Sequence, residues 1–282
     1  MSISQEELEG FQGYLKKRGR TRNTIIAYQS AVRQYFLRYQ TLTVENLQEY
    51  KHYLIQHYQA STVNTKIYGI NKYLHYQNSI QDSVLSSMEH YQVPSVKRQQ
   101  QTFADNVITN NDYEILKKRL KQDGNEFWYF IVRFLGATGA RVSELVQIKA
   151  EYLKLGYMDL YSKGGKIRRI YFPDSLCEEC RLWLTAQKIT SGFIFINRHG
   201  RPITPRGINS QLKKFARQYG INPDTVYPHS FRHLYAKNFL VKFNDISLLA
   251  DLLGHESIET TKIYLTQTST EQKALIDQVI VW

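Results

Sequence analysis

The chain has 282 residues, 42% of them hydrophobic, and its 37 basic against 25 acidic side chains give a formal net charge of +12. This composition excludes a disordered chain, and the length predicts about two domains. No apolar run approaches the roughly 20 residues that span a bilayer, and the N-terminus lacks the pattern of a signal peptide. We therefore expect no membrane association and a cytoplasmic protein. The charge favours a nucleic-acid partner, although many basic proteins bind none specifically.

The N-terminal part predicts a bundle of four helices. Ser4 and Glu7 form a capping box ahead of the first helix. Thr21 or Asn23 can cap the second helix, and Thr43 begins the third. The fourth helix carries an apolar stripe at helical spacing, formed by Val63, Ile67, Ile70 and Leu74. These stripes predict the core of the first domain.

The opposite face of the fourth helix carries small polar and cationic residues. Its members are Ser61, Thr65, Tyr68 and Lys72. Such a face can enter a major groove and contact phosphates or base edges. An ordinary solvated face is the alternative.

A polar segment separates the two predicted domains. The helical pattern decays after about residue 78, and Pro94, Lys97 and Arg98 precede a glutamine run. We place the first domain at 1–93, a linker at 94–104 and the second domain at 105–282. The linker is either a basic strap that closes around a duplex or a plain tether.

The second domain predicts helices around a small antiparallel sheet. Trp128, Ile131 and Leu135 mark a buried helix that leads to Arg141. The runs GYMDLY and IRRIYF flank the glycine-containing turn SKGGK, which predicts a hairpin with Lys163 on its turn. Lys166 is a rival lysine in that turn. The expected fold class is mainly α with a small antiparallel β-sheet.

Further elements follow the hairpin. FIFIN predicts a strand, and Thr204 with Pro205 begins a helix. A helix over 229–243 puts His229 and Arg232 on one face, while we expect His233 to point elsewhere as a structural residue. Cys177 and Cys180 form a C-x-x-C with no further cysteines for a zinc site. We expect two reduced thiols, with redox control as the alternative.

Six residues have the chemistry that a phosphodiester reaction needs. Arg141 and Arg232 offer planar forks of donors that stay protonated, which suits the charge on a phosphate under attack. Tyr264 is the candidate nucleophile, and it requires activation because a free phenol has a pKa of about 10. The other members are Lys163 as general acid, His229 as candidate base and His255 as a phosphate ligand.

The order and context of these residues resemble the tyrosine recombinases, the phage-integrase and Xer-like family. The segment ATGARVSEL matches the family pattern T-G-x-R-x-S-E-L, and HSFRH matches H-x-x-R-H. LGHES matches L-G-H-x-(S/T), with Leu253, Gly254, His255 and Ser257, and Tyr264 follows it. Each motif alone is weak, but together they cover the last half of the chain in the family's order.

The resemblance implies a fold and a mechanism. The fold is an N-terminal helical core-binding (SAM-like) domain that clamps duplex DNA, followed by a mixed α/β catalytic domain. A clamp of this kind makes Thr65 and Lys72 on the fourth helix the candidate DNA contacts. The mechanism is site-specific cleavage and rejoining through a 3′-phosphotyrosyl link. The bond energy is kept in that link, which agrees with the lack of a nucleotide-binding loop in the sequence. We expect no cofactor and no metal, and a place at the nucleoid.

The resemblance also implies a homotetramer on two DNA sites. The C-terminal residues are apolar, which is a liability if they are exposed: Ala274, Leu275, Ile276, Val279, Ile280, Val281 and Trp282. We expect this tail to dock into a neighbouring subunit, with packing on its own domain as the alternative. A type IB topoisomerase, a non-catalytic DNA-binding regulator and a basic adaptor protein remain the alternative functions.

Overall fold

The computed structural model describes residues 3–80, 91–97, 106–161, 167–255, 258–262, 264, 273 and 276–277. The chain forms two compact units, Met1–Gln100 and Gln101–Trp282. Helices dominate the described residues, and two strands form one antiparallel sheet. The predicted fold class is confirmed.

The first unit contains four helices: α1 Gln5–Lys17, α2 Arg22–Phe36, α3 Val44–His57 and α4 Ala60–Ile80. The capping box of Ser4 and Glu7 is present, and the Thr21 and Thr43 side chains cap α2 and α3. The predicted stripe of α4 is buried in a core that also holds the rings of Phe11, Tyr35 and Tyr73. Helix capping and the apolar stripes thus explain this bundle.

An extended segment, residues 91–97, lies along α4. The Asn71 side chain exchanges two hydrogen bonds with the backbone of Val93, and Asn64 does the same with Val96. Seven helical residues and three extended residues both advance by about 10 Å, so the two spacings match. Val96, inside the predicted linker, is therefore held against the first unit. Linker residues 98–104 lie outside the described residues.

The second unit is built on α5 Asn110–Gln122 and α6 Glu126–Thr138, followed by the short helices α7 Val142–Leu145 and α8 Tyr152–Leu155. Strands β1 Tyr157–Tyr161 and β2 Ile167–Tyr171 pair with Met158 opposite Ile170. The remaining helices are α9 Asp174–Ala186, α10 Pro205–Gln218, α11 Pro228–Phe243, α12 Ile246–Leu253 and α13 Glu259–Lys262. Six residues of α6 are buried in this core: Tyr129, Phe130, Ile131, Val132, Phe134 and Leu135.

The strand expected in FIFIN exists only as two isolated bridges, Lys149 with Phe193 and Ile196 with Pro202. Pro202 has no backbone N–H to extend a ladder, which explains why pairing stops there. Thr204 caps α10 and Pro205 occupies its first turn, as predicted. Cys177 and Cys180 are free and buried on α9, and burial raises the pKa of the Cys180 thiol to about 12. Both thiols belong to the core.

Candidate active site

Arg141 is placed by the end of α6. Gly139 terminates that helix with a φ of 61°, and a side chain there would meet the Tyr235 ring at 2.6 Å. The chain then turns so that Arg141 caps α7, where the Glu144 carboxylate accepts from the Arg141 backbone N–H at 2.7 Å and from its guanidinium at 2.8 Å. The Arg141 side chain is 44% exposed. Its Nη1 is held by Glu144 and its Nη2 lies 3.5 Å from the Gly254 carbonyl, while much of the side chain stays exposed to a ligand.

Arg232 lies at the centre of the site and is 1% exposed. Its guanidinium donates to the carbonyls of Gly139 at 2.8 Å and Leu253 at 2.7 Å. Those carbonyls lie at the C-terminal ends of α6 and α12, where the helix dipole favours a cation. Burial lowers the pKa of Arg232, but a guanidinium keeps its proton in proteins. The two helix ends therefore hold a charge that is otherwise costly to bury.

Tyr264 lies beside Arg232 in the same chain. Arg232 Nε donates to the Tyr264 hydroxyl at 3.4 Å, and Tyr264 is 5% exposed. Its ring packs edge-on against His233, with centroids 4.6 Å apart, and stacks on His255 at 5.8 Å. The structure thus brings the predicted nucleophile to one arginine of the predicted clamp.

His255 is oriented from both sides. Its Nε2 lies 2.9 Å from Arg232 Nη2, and its Nδ1 lies 2.7 Å from the hydroxyl of the buried Thr261. A guanidinium can only donate, so Nε2 accepts and Nδ1 carries the proton. Burial and then Arg232 lower the pKa of His255 to about 4, which keeps the ring neutral at pH 7. Burial also lowers the pKa of His229, followed by the charges of Arg232 and Arg141.

The expectation that His233 points away from the site was wrong. His229 and His233 are four residues apart on α11, so they share a face of the helix. Their rings meet edge-on at 4.9 Å, and His233 also contacts Tyr264. Burial, followed by His229 and Arg232, lowers the pKa of His233 to about 4. His233 is therefore a neutral ring between a predicted base and the predicted nucleophile.

Arg168 and Thr261 were missed by the sequence reasoning, which matched Glu144 to the family pattern without giving it a role. Arg168 on β2 and Glu144 on α7 form an ion pair at 2.8 Å, and Thr261 on α13 orients His255. Strand alternation contained a signal for Arg168, because it shares a face with the buried Ile170. The residue types around Thr261 contain no comparable signal.

The remaining predicted residues divide into two groups. Lys163 and its rival Lys166 lie outside the described residues, as does Ser257. Thr65 and Tyr68 are exposed on α4 and Lys72 is half-buried, so that face is available to a partner. Of the apolar tail, only Ile276 is described, and it is 55% exposed.

A buried arginine bonded to a tyrosine hydroxyl, with His233 and His255 beside the tyrosine, forms the centre of the candidate site in the second unit. Residues 106–271 match the model of the Phage integrase family. The chain belongs to this family, which confirms the predicted tyrosine-recombinase class.

Curated relatives agree with this assignment. Over 156 residues the chain is 32% identical to a tyrosine recombinase XerD of Staphylococcus haemolyticus, covering 52% of each chain. It is 25% identical over 284 residues to a tyrosine recombinase XerA of Pyrococcus furiosus, covering 98% of this chain and 95% of that protein. The match to XerD thus spans about half of that relative, and the match to XerA nearly all of it.

Solved structures share the fold at low identity. A XerH site-specific recombinase bound to its difH substrate has a TM-score of 0.71 at 17% identity, over 95% of this chain and 84% of that chain. A lambda integrase tetramer bound to a Holliday junction has a TM-score of 0.72 at 15% identity, over 93% and 77% of the two chains. Both support the described fold.

Proposed function

We propose that this chain is a site-specific DNA recombinase that breaks and rejoins duplex DNA through Tyr264. The observation that carries the proposal is the contact of the Tyr264 hydroxyl with Arg232 at 3.4 Å, beside the neutral His255. The guanidinium donates to the phenolic oxygen and so fixes its position in the site. That oxygen is then ready to attack a phosphorus held by the same cation.

The proposed step is a balanced transesterification. The Tyr264 oxygen forms a bond to phosphorus, and the bond from phosphorus to the 5′ oxygen breaks. Lys163 gives the leaving oxygen its proton, and a histidine of α11 takes the proton of Tyr264: either His229, the predicted base, or His233, whose ring contacts the tyrosine. The products are a 3′-phosphotyrosyl link and a free 5′-hydroxyl. A 5′-hydroxyl from a partner strand reverses the step, so the reaction conserves the phosphodiester bond.

Arg141 and Arg232 have different parts in this step. Arg232 is buried and fixed by two carbonyls, so its position is preorganised for charge that develops on the phosphate. Arg141 is exposed and only loosely held at Nη2, so that this nitrogen can donate to a non-bridging oxygen when DNA arrives. His255 supplies an oriented ring at the same point. Binding a phosphate oxygen there requires its proton to move from Nδ1 to Nε2, because only a protonated ring nitrogen can donate.

The proposal includes an assembly. Relatives of known structure are described as bound to DNA and, for lambda integrase, as a tetramer on a Holliday junction. By analogy, this chain acts as a homotetramer on two specific sites, with residues 274–282 docked in the neighbouring subunit and Thr65 and Lys72 of α4 on the DNA. Among the described helices none is long and apolar enough to cross a membrane. A DNA substrate places the working enzyme at the nucleoid.

A nicked suicide duplex tests the proposal. Binding sequences are first selected from a pool of random duplexes, and a nick is then walked through the selected sequence one nucleotide at a time. A nick beside the scissile phosphate lets the short 5′-hydroxyl strand diffuse away and traps the protein on DNA. We expect an adduct on a denaturing gel with the wild type and none with Tyr264→Phe. An adduct that persists in Tyr264→Phe rejects this nucleophile, and no adduct at any nick rejects the activity.

A further inference from the structure

Three arginines meet the last turn of α12 on successive carbonyls. Arg168 Nε donates to Leu252 at 2.9 Å, Arg232 Nη2 donates to Leu253 at 2.7 Å, and Arg141 Nη2 lies 3.5 Å from the carbonyl of Gly254. The next residue in the chain is His255. The carbonyls at a helix end have no partners within the helix and carry partial negative charge. This turn is therefore fixed by side chains from three different elements, β2, α11 and the start of α7.

Glu144 joins two of these arginines. Its Oε1 accepts from Arg141 Nη1 and from Arg168 Nη1, each at 2.8 Å, while Oε2 accepts from the backbone N–H of Arg141. The side chains of Glu144 and Arg168 are each 11% exposed, against 44% for Arg141. A buried carboxylate shared in this way fixes the stem of the exposed arginine through the buried one.

Arg168 is also enclosed by the backbone of that turn. Gly254 has a φ of 63°, and a side chain added there would collide with the Arg168 stem. Arg168 Nη2 is buried and finds no hydrogen-bond partner within the described part of the chain. Burial lowers the pKa of Arg168, Glu144 raises it, and the charges of Arg232 and Arg141 lower it further. A group kept charged in such a place calls for a functional explanation.

We propose that Arg168 is a positioning residue for the cleavage step, acting through Glu144 on Arg141 and through Leu252 on the turn that carries His255. It does not touch the DNA in this account. The inference rests on the proposed function, because it assigns a role within the same reaction. Loss of Arg168 would leave the Glu144 carboxylate to pull on Arg141 alone and would release one of the three supports of the turn.

The neighbouring residue on the same strand offers a matched control. Arg169 faces the other side of the hairpin, where it forms two hydrogen bonds with Asp159 at 2.7 and 2.8 Å and covers the Tyr157 ring. Arg168→Met and Arg169→Met therefore remove the same charge from adjacent positions of β2. Only the first change disturbs the arginines at α12.

The test compares three quantities for these variants on the selected duplex: affinity for intact DNA, thermal midpoint and rate of adduct formation on the nicked form. We expect Arg168→Met to bind within about threefold of the wild type while its adduct rate falls about 10- to 100-fold, the range for losing hydrogen bonds to a charged group. Arg169→Met should cleave at the wild-type rate. Arg168→Lys keeps the charge, but a lysine cannot reach Leu252 and Glu144 together. We therefore expect its adduct rate to be about tenfold lower than that of the wild type, or lower still.

Two further measurements test whether Arg168 acts through Glu144 and whether its loss affects the general acid. If Arg168 acts through Glu144, the rate loss of Arg168→Met with Glu144→Gln is smaller than the product of the single losses. A 5′-bridging sulfur, which leaves without a proton donor, should not restore Arg168→Met, because its defect lies with Arg141 and α12 rather than with Lys163. Restoration by sulfur overturns the proposed route.

The outcomes distinguish this inference from the proposed function. Wild-type protein that forms no adduct rejects the proposed function. Wild-type adduct together with normal cleavage by Arg168→Met rejects only the role of Arg168. If Arg168→Met does not fold, as judged by its thermal midpoint, Arg168→Lys is measured instead, and cleavage by that variant at the wild-type rate overturns the inference.

Discussion

Thr261→Val removes one hydroxyl and keeps the volume of a fully buried side chain. In the wild type that hydroxyl lies 2.7 Å from His255 Nδ1, which carries the ring proton because Nε2 faces Arg232. Valine leaves this N–H without its acceptor. An unpaired buried donor costs about 1–3 kcal/mol, and the partial exposure of His255 places the expected loss at about 1–2 kcal/mol because water can partly replace the hydroxyl.

The thermal midpoint reports this loss directly. For a unit of this size, each kcal/mol lowers the midpoint by about 2–4 °C, so we expect a decrease of about 2–8 °C. The adduct rate should fall about tenfold, because the His255 ring is no longer held at the phosphate position. Thr261→Ser keeps the hydroxyl and should preserve most of both properties. A valine variant that melts and cleaves like the wild type would refute the assigned tautomer and the role of Thr261.

Four other outcomes follow from the same geometry. In the unfolded chain a histidine has a pKa of about 6.5. In the folded chain burial lowers the pKa of His233 and of His255 to about 4. The unfolded state therefore binds more protons between these values, and the free energy of unfolding should decrease as the pH falls from about 6.5 to 4. In thermal melts across that range, the double variant His233→Gln with His255→Gln should show a shallower loss, and an unchanged slope would contradict the assignment. Lys163→Met should cleave normal DNA about 100-fold more slowly than the wild type, or slower still. Its rate should recover on DNA with sulfur in place of the 5′-bridging oxygen, because that leaving group needs no general acid. Lack of recovery would show that Lys163 is not the general acid. Gly139→Ala should lower the free energy of unfolding by more than about 1 kcal/mol, because φ is positive there and the Tyr235 ring occupies the space of the added methyl group. Gly13→Ala is the control: it lies in α1 with no atom near the added methyl group, so it should be neutral or stabilising in the same thermal melts. Removing residues 274–282 should leave binding of one site intact and abolish paired-site complexes on native gels, and unchanged pairing would reject the docked tail.

Local patterns predicted much of the fold. Ser4, Thr43 and Thr204 marked helix starts because their hydroxyls can accept a first-turn N–H, and each does so. Apolar residues at helical spacing predicted the buried residues of α4 and α6, because that spacing also depends only on nearby sequence. The prediction of a strand in FIFIN was wrong because strand pairing depends on a partner segment, and pairing with that segment stops at Pro202.

The site was predictable where a motif named a residue type and less so where contacts cross the chain. Arg232 and Tyr264 were expected together, and they touch. His233 was misjudged because one-turn spacing was applied to Arg232 and not to the residue after it. Arg168 and Thr261 act through partners 84 and 6 residues away. No local pattern encodes such pairings, which arise only when β2 and α13 fold against α12.

The most direct test of the account is to locate the covalent bond. Trypsin cleavage after Lys262 and Lys273 releases the peptide of residues 263–273, in which Tyr264 is the only tyrosine. If the adduct trapped on the selected suicide duplex is digested with nuclease and trypsin, we predict that mass spectrometry finds the residual 3′-nucleotide phosphate on Tyr264 in this peptide. A nucleotide phosphate on any other residue, or on another peptide, would contradict the claim that Tyr264 is the nucleophile.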